Sequence, residues 1–188
     1  MDYLKARLKH AVCFRHKRGF GVHSPFMFNL IMNVIRDRKP RGACPVEMRQ
    51  AHLLGRREYK VFRLLSRLVR CLRVREVVCL GRHSSLLAGY LSVLHGEVHI
   101  TDAPSFFDRA DFIYLGCGAS VEEVGRMLPF APEDYPRYLV IADIHKDARH
   151  AALWRRLREQ ATVSVDMMWY GLLLFDRKIQ KGNYKLML

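Results

Sequence analysis

The sequence predicts an α/β protein whose mostly parallel sheet ends in an antiparallel hairpin. From residue 74 onward, short apolar runs alternate with helical stretches, which is the pattern of parallel strands covered on both faces. The last two long runs, residues 162–167 and 171–175, are too close together for a helical crossover between them. These two segments must therefore pair antiparallel.

Four apolar runs precede this hairpin and supply the parallel part of the predicted sheet. They cover residues 74–80, 97–102, 111–115 and 138–142. A helix is expected over residues 147–160, and residues 184–188 are expected to add a final edge strand. A chain of 188 residues with this pattern fits one α/β domain, which we assign to residues 47–188.

The N-terminal part, residues 1–46, is predicted to be a basic helical extension of this domain. Residues 1–18 combine apolar residues near helical spacing with six Lys and Arg residues. Ser24 followed by Pro25 has the pattern of an N-cap with proline at the first helical position. The helix that follows is expected to bury one apolar side, made of Phe26, Leu30, Ile31, Val34 and Ile35. A further helix is expected over residues 47–72.

The charge of the chain is strongly positive. Thirty-two Lys and Arg residues against eighteen Asp and Glu residues give +14, with most of the excess in the first 75 residues. Such a field attracts phosphates, so nucleic acid, another polyanion or an anionic membrane surface is an expected partner. One stripe at helical spacing carries part of this charge: Arg56, Lys60, Arg63, Arg67 and Arg70. The stripe is either a solvated helix face or a phosphate-binding surface.

Composition also indicates where the protein resides. No apolar stretch is long enough to cross a membrane, and the first residues lack the apolar core of a secretory signal. Five scattered cysteines without a C-x-x-C pair fit neither a disulfide framework nor a zinc site. We therefore expect a cytoplasmic protein with reduced thiols.

Ligands of open α/β sheets bind beyond the carboxyl ends of the strands, so the residues after each run are the candidates for a site. Gly81 follows the first run and permits a tight turn before a helix. Asp102 ends the second run, where an acid commonly binds ribose hydroxyls, although it is also an ordinary turn residue. Asp143 and His145 follow the fourth run.

Two interpretations apply to this last pair of residues. His145 is a candidate general base, and Asp143 is a candidate for holding a substrate or a metal. Alternatively, Asp143 caps the following helix and His145 is an exposed loop residue.

Three segments resemble bacterial class I S-adenosylmethionine-dependent methyltransferases related to the O-methyltransferases. The front, residues 3–28, resembles their basic N-terminal helix and H-S-P-F-x-F element. The middle, residues 64–91, resembles their helix, first strand and glycine turn. The tail, residues 140–175, resembles their D-D-I-H, tryptophan and strand–glycine–strand ending, and the closing hairpin is itself a feature of this class.

The resemblance implies a Rossmann-like fold that binds S-adenosylmethionine and transfers its methyl group to an acceptor. It implies cofactor binding by Gly81, by Arg82 and His83 in the turn after it, and by Asp102. His145 would then deprotonate a hydroxyl or amine of an unknown acceptor. Asp143 would orient this base.

The sequence departs from the family pattern at several of these positions. Cys79 stands in place of an acid before the glycine, and Ser85 stands in place of a second glycine. Gly116 offers no carboxylate where metal-dependent relatives have one, so no metal site is expected. Residues 103–110 leave no room for a helix and a strand on the adenine side.

These departures support an alternative function, in which a non-catalytic protein of the same fold binds an acidic partner through its basic N-terminal half. They also leave open that a second copy of the chain, or another partner, covers the incomplete sheet edge.

Overall fold

Seven strands form one sheet in the computed structural model of the chain, which describes residue 8 and residues 21–37, 54–120 and 137–186. The strands are β1 (Glu76–Leu80), β2 (His99–Thr101), β3 (Phe112–Leu115), β4 (Arg137–Ala142), β5 (Val163–Asp166), β6 (Tyr170–Phe175) and β7 (Gly182–Lys185). Their order across the sheet is β2-β1-β3-β4-β6-β5-β7. The predicted mixed α/β class with a mostly parallel sheet is therefore confirmed.

The pairing directions also agree with the sequence pattern. Strands β2, β1, β3 and β4 pair parallel, and β6 pairs antiparallel with both β4 and β5. The predicted hairpin is thus β5–β6, and β7 pairs parallel with β5 at the edge. Strand β5 consequently runs in the same direction as β1 to β4. The carboxyl ends of β1 to β5 therefore lie along one edge of the sheet, the edge formed by the strand ends. Ligands of open α/β sheets bind at this edge.

Four α-helices accompany the sheet in the described ranges: α1 (Pro25–Asn29), α2 (Arg56–Cys71), α3 (Ser84–Leu94) and α4 (Ala148–Gln160). The chain continues from α1 into a π-helical segment, Leu30–Ile35, and residues 104–106 form a short 3₁₀ turn. None of the helices in these ranges is long and apolar enough to span a bilayer. Apart from residue 8, the basic residues 1–18 lie outside the described residues, as do residues 47–53 of the predicted long helix.

The start of α1 agrees with the predicted cap. The Ser24 hydroxyl accepts a hydrogen bond from the Met27 amide at 3.4 Å, and Pro25 occupies the first helical turn. The prediction that Phe26 lies on the buried side was wrong, because Phe26 is exposed and Met27 is buried instead. His23 is also exposed. Leu30, also buried, follows Met27 by three positions, so these two side chains share one helical face.

Apolar residues from the strands and helices pack into one core on each side of the sheet. One core joins alternate strand residues to the π-helical segment, α2 and α3. The other joins the remaining strand residues to Leu153, Trp154 and Leu157 of α4. Because β1, β3, β4 and β6 are covered on both faces, their sequences are almost continuously apolar.

The basic stripe on α2 is divided by this packing. Lys60 and Arg70 are exposed, but Nε of Arg67 donates a hydrogen bond to the carbonyl oxygen of Val34 at 2.8 Å. Arg67 therefore attaches the segment that follows α1 to α2. The stripe is not one uniform solvated surface.

Candidate functional site

An open cleft with a volume of about 420 Å³ lies at the carboxyl-terminal edge of the parallel strands. Four separate parts of the chain form it: the start of α2, the turn after β3, the turn after β4, and the β5–β6 turn with the start of β6. Its lining residues are Gly55, Arg57, Glu58, Cys117, Asp143, Trp169 and Tyr170. Of the residues that the sequence singled out, Asp143 lines this cleft.

Asp143 is held at the cleft by backbone and side-chain contacts. Its backbone has φ = 60°, and its amide donates to the carbonyl oxygen of Trp169 at 2.8 Å. The Cys117 thiol is hydrogen-bonded to the Asp143 carboxylate, and burial, reinforced by that negative charge, raises the pKa of the thiol to about 11. Cys117 therefore stays protonated at neutral pH, which argues against a role as a nucleophile.

The alternative that Asp143 caps the following helix was wrong. The N-cap of α4 is Asp147, whose Oδ1 accepts from the His150 amide at 2.9 Å. The carboxylate of Asp143 points to the cleft and its thiol neighbour instead of to a helix end.

Two tyrosines lie beside the cleft. The hydroxyls of Tyr114 and Tyr170 are hydrogen-bonded to each other, and both rings are buried. Burial raises the pKa of each phenol above its ordinary value. The two hydroxyls are therefore neutral at physiological pH, so that they supply hydrogen bonds and no negative charge.

Glu58 connects the cleft to the turn after β1. Its Oε2 accepts a hydrogen bond from the Gly55 amide at 2.8 Å, and its Oε1 lies 3.7 Å from Nε2 of His83. Glu58 was not among the predicted site residues, because it is 25 positions from His83 along the chain. The predicted cofactor turn and the cleft thus share one carboxylate.

The turn after β1 packs tightly against the turn after β3. Gly81 has φ = +97°, and a Cβ added there would lie 2.8 Å from the carbonyl oxygen of Gly116. The Gly116 amide donates to Leu80 O at 2.7 Å, and the Arg82 amide donates to Cys117 O at 2.8 Å. The glycine is therefore required by the approach of two backbone segments. The Arg82 side chain is exposed, and His83, with φ = 63°, precedes α3.

Asp102 lies at the carboxyl end of β2, as the sequence predicted. Its side chain is exposed, and its Oδ2 accepts a hydrogen bond from the Ser85 hydroxyl at 3.0 Å. Ser85 is the residue that replaces the second family glycine, and it stands in the first turn of α3. A ribose at this position would have to share the Asp102 carboxylate with Ser85.

His145 is paired with an acid that sequence analysis missed. Its Nε2 lies 2.9 Å from Oδ2 of Asp166, which is only 5% exposed, and Oδ1 of Asp166 accepts from the Met168 amide at 3.0 Å. Asp166 ends β5, and the direction of that strand brings it to the site edge. His145 does not line the cleft, and Asp166 stands at the start of the β5–β6 turn, which carries the lining residue Trp169.

The six predicted site residues are therefore not gathered in one cavity. Backbone hydrogen bonds and Glu58 join Arg82 and His83 to the cleft, where Asp143 lies, whereas Asp102 is paired with Ser85 and His145 with Asp166. Within the described ranges, no three His, Cys, Asp or Glu side chains are arranged to hold a metal ion. No protein-family model, curated protein or solved structure matches this chain.

Proposed function

We propose that the chain is an S-adenosylmethionine-dependent methyltransferase whose acceptor binds in the cleft beside Asp143. The observation that carries the proposal is the arrangement of strand ends at one sheet edge. The exposed acid at the end of β2, the glycine turn after β1 and an open cleft with a carboxylate follow one another along this edge. The cleft volume also falls within the range of about 300–1,000 Å³ that is usual for small-molecule sites.

The residues at this edge fit the polar groups of the cofactor. Asp102 is exposed and accepts hydrogen bonds, as a partner for ribose hydroxyls must. The turn at Gly81 leads into the N-terminus of α3, whose backbone N–H groups can face the polar groups of a ligand. S-adenosylmethionine would supply an electrophilic methyl group on a sulfonium. The chain would supply alignment, which methyl transfer needs above all.

The cleft supplies a base for the acceptor. As a bond forms between the acceptor oxygen or nitrogen and the methyl carbon, the carbon–sulfur bond breaks and the acceptor proton must move to a base. Asp143 lines the cleft and can take this proton. His145, which the sequence suggested for this step, is the second candidate base; its ring is paired with Asp166 and does not line the cleft.

Calorimetric titration with S-adenosylmethionine and S-adenosylhomocysteine tests the cofactor part. We expect micromolar binding, about −8 kcal/mol. Asp102→Asn should weaken the binding of both ligands by about tenfold, because a charged hydrogen-bond acceptor is lost. The control is Glu97→Gln, an exposed acid just before the amino end of β2. No heat and no thermal stabilisation with either ligand would overturn the proposal.

Variants of the two candidate bases test the catalytic part. In an acceptor screen that follows S-adenosylhomocysteine release, Asp143→Asn should lower turnover while cofactor affinity is retained. His145→Ala should abolish turnover if this ring is the base. Unchanged turnover in His145→Ala would remove His145 from the mechanism and leave Asp143 as the base.

A second candidate function is the binding of a polyanion by the exposed basic residues of α2. It is favoured by the exposure of Lys60 and Arg70 on one helix within a chain of net charge +14. Arg67 is unsuited to such a test, because its reversal would also break the bond to Val34.

Heparin-affinity chromatography tests this second function by the salt concentration at which each variant elutes. The double variant Lys60→Glu/Arg70→Glu should elute at lower salt than the control Arg155→Glu/Arg156→Glu. The control changes two exposed arginines of α4, which packs on the opposite face of the sheet. Equal loss from both faces would mean that net charge alone is responsible, and it would remove this function.

A second copy of the chain is the proposed partner for the sheet edge at β2. In the described sheet, β2 pairs with β1 on one side and is the outermost strand on the other. An open edge of this kind can add a strand from another molecule. Light scattering at micromolar concentration should then give a dimer, and a monomer would exclude it.

A further inference from the structure

The most unusual pair of side chains in the cleft is Arg57 stacked on Trp169. The guanidinium carbon of Arg57 lies 4.0 Å from the centroid of the indole ring, and both residues line the cleft. Arg57 is exposed and stands in the first turn of α2. The stack therefore places a positive charge at the wall of a cleft that otherwise carries the carboxylates of Glu58 and Asp143.

This guanidinium has the geometry of an anion-binding group. Among the residues that the structure describes, no carboxylate forms an ion pair with Arg57. A guanidinium that lies over an aromatic ring keeps the N–H groups at its edge as hydrogen-bond donors. That edge matches the two oxygens of a carboxylate in a bidentate arrangement.

The remaining charges in the cleft determine how a ligand would be oriented. Glu58 and Asp143 repel an anionic group, whereas Asp143 can accept a hydrogen bond from a neutral hydroxyl. The half-buried indole of Trp169 offers apolar surface beside these polar groups. A ligand with a planar body, a carboxylate at one end and a hydroxyl at the other complements all these features.

We infer that the acceptor is a small aromatic carboxylic acid that bears a hydroxyl, with its carboxylate bound by Arg57 and its hydroxyl directed to Asp143. The acceptor role rests on the proposed methyl transfer. The recognition of the carboxylate by the Arg57–Trp169 stack does not.

Titration with 4-hydroxybenzoate and with the neutral 4-hydroxybenzyl alcohol tests the inference, with and without S-adenosylhomocysteine. Arg57→Gln should weaken binding of the acid by at least about tenfold and change binding of the alcohol little. Arg57→Lys should lie between wild type and Arg57→Gln, because it keeps the charge but loses the planar fork. Lys60→Gln, an exposed cation one turn further along α2 and outside the cleft lining, is the matched control.

The outcomes separate this inference from the proposed function. If S-adenosylhomocysteine binds and the acid binds no more tightly to wild type than to Arg57→Gln, the inference fails and the methyltransferase proposal stands. If the acid binds through Arg57 but neither adenosyl ligand binds, the recognition of the carboxylate stands and the proposed function fails. Equal weakening of the acid and the alcohol in Arg57→Gln would also overturn the inference.

Discussion

The indole ring of Trp154, on α4, lies directly against the α-carbon of Gly171 in β6, in the space that a Cβ would occupy. Both residues are buried, and Nε1 of the indole is buried without a hydrogen-bond partner in the described part of the chain. Packing against a residue without a side chain therefore holds the ring in place. This contact explains why a glycine stands within a strand that is otherwise apolar.

The first prediction concerns this contact. Gly171→Ala should lower the free energy of unfolding by about 1–3 kcal/mol, because the added methyl group overfills the space of the ring. Urea unfolding measures the change. The control is Gly89→Ala in α3, where nothing lies within 4 Å of an added Cβ. It should be stabilising by about 0.5–1 kcal/mol, and a loss of stability equal to that of Gly171→Ala would contradict the explanation.

The second prediction separates two reasons for the glycine at position 81. Gly81→Ala combines an unfavourable φ of +97° with a contact to the Gly116 backbone, whereas Gly118→Ala meets a similar φ of +80° with nothing within 4 Å. The φ alone costs about 1–2 kcal/mol for an L-residue. Gly81→Ala should therefore lower the free energy of unfolding, measured in urea, by more than Gly118→Ala does. Equal losses would mean that the Gly116 backbone moves away without cost.

Local patterns were sufficient to predict much of the fold. The runs that became β1, β3 and β4 are apolar because neighbours cover both faces, and the short link after residue 167 excludes a crossover. The cap at Ser24 depends on residues only three positions apart, so it could also be predicted from the sequence. The exposure of Phe26 was missed because helical periodicity alone does not fix which side of α1 faces the core.

The candidate site was predicted less completely, since its contacts join distant parts of the chain. Glu58 approaches His83 from another helix, and Asp166 reaches His145 across 21 positions. Such pairs depend on how the elements are placed in three dimensions, which periodicity does not determine. The direction of β5 offered one usable signal, because it brings Asp166 to the same sheet edge as Asp143.

The third prediction concerns the cap of α4. Hydrogen bonds from the His150 amide, and then from its ring, lower the pKa of the Asp147 carboxyl from an ordinary value of 3.8 to about 2. Because the folded-state pKa is the lower one, the charged cap stabilises the fold above about pH 3.8, and this contribution is lost as the pH falls towards 2.

At neutral pH, Asp147→Ala should cost about 0.5–2 kcal/mol in urea unfolding, as the loss of an N-cap does elsewhere. The difference from wild type should shrink as the pH is lowered from 4 to 2. Asp147→Asn retains an uncharged cap and should lack this pH dependence. A constant gap between wild type and Asp147→Ala down to pH 2 would contradict the assigned role of the carboxylate.

The fourth prediction concerns the thiol at the cleft. With a pKa of about 11, Cys117 should react slowly with iodoacetamide at pH 8, since only about one thiol in a thousand is ionised there. Asp143→Asn should lower that pKa, because it removes the negative charge next to the sulfur, and labelling should become faster. Peptide mass spectrometry follows each cysteine separately, and Cys71, half-buried and outside the cleft lining, provides an internal reference.

The same experiment reports on occupancy of the cleft. A ligand bound beside Asp143 should slow the labelling of Cys117 in the Asp143→Asn variant and leave that of Cys71 unchanged, because only the first of these thiols lines the cleft. A Cys117 that is labelled equally fast in wild type and in Asp143→Asn would show that the carboxylate exerts little influence on the thiol. The hydrogen bond between these two side chains would then not persist in solution, and the cleft would have a different polar wall.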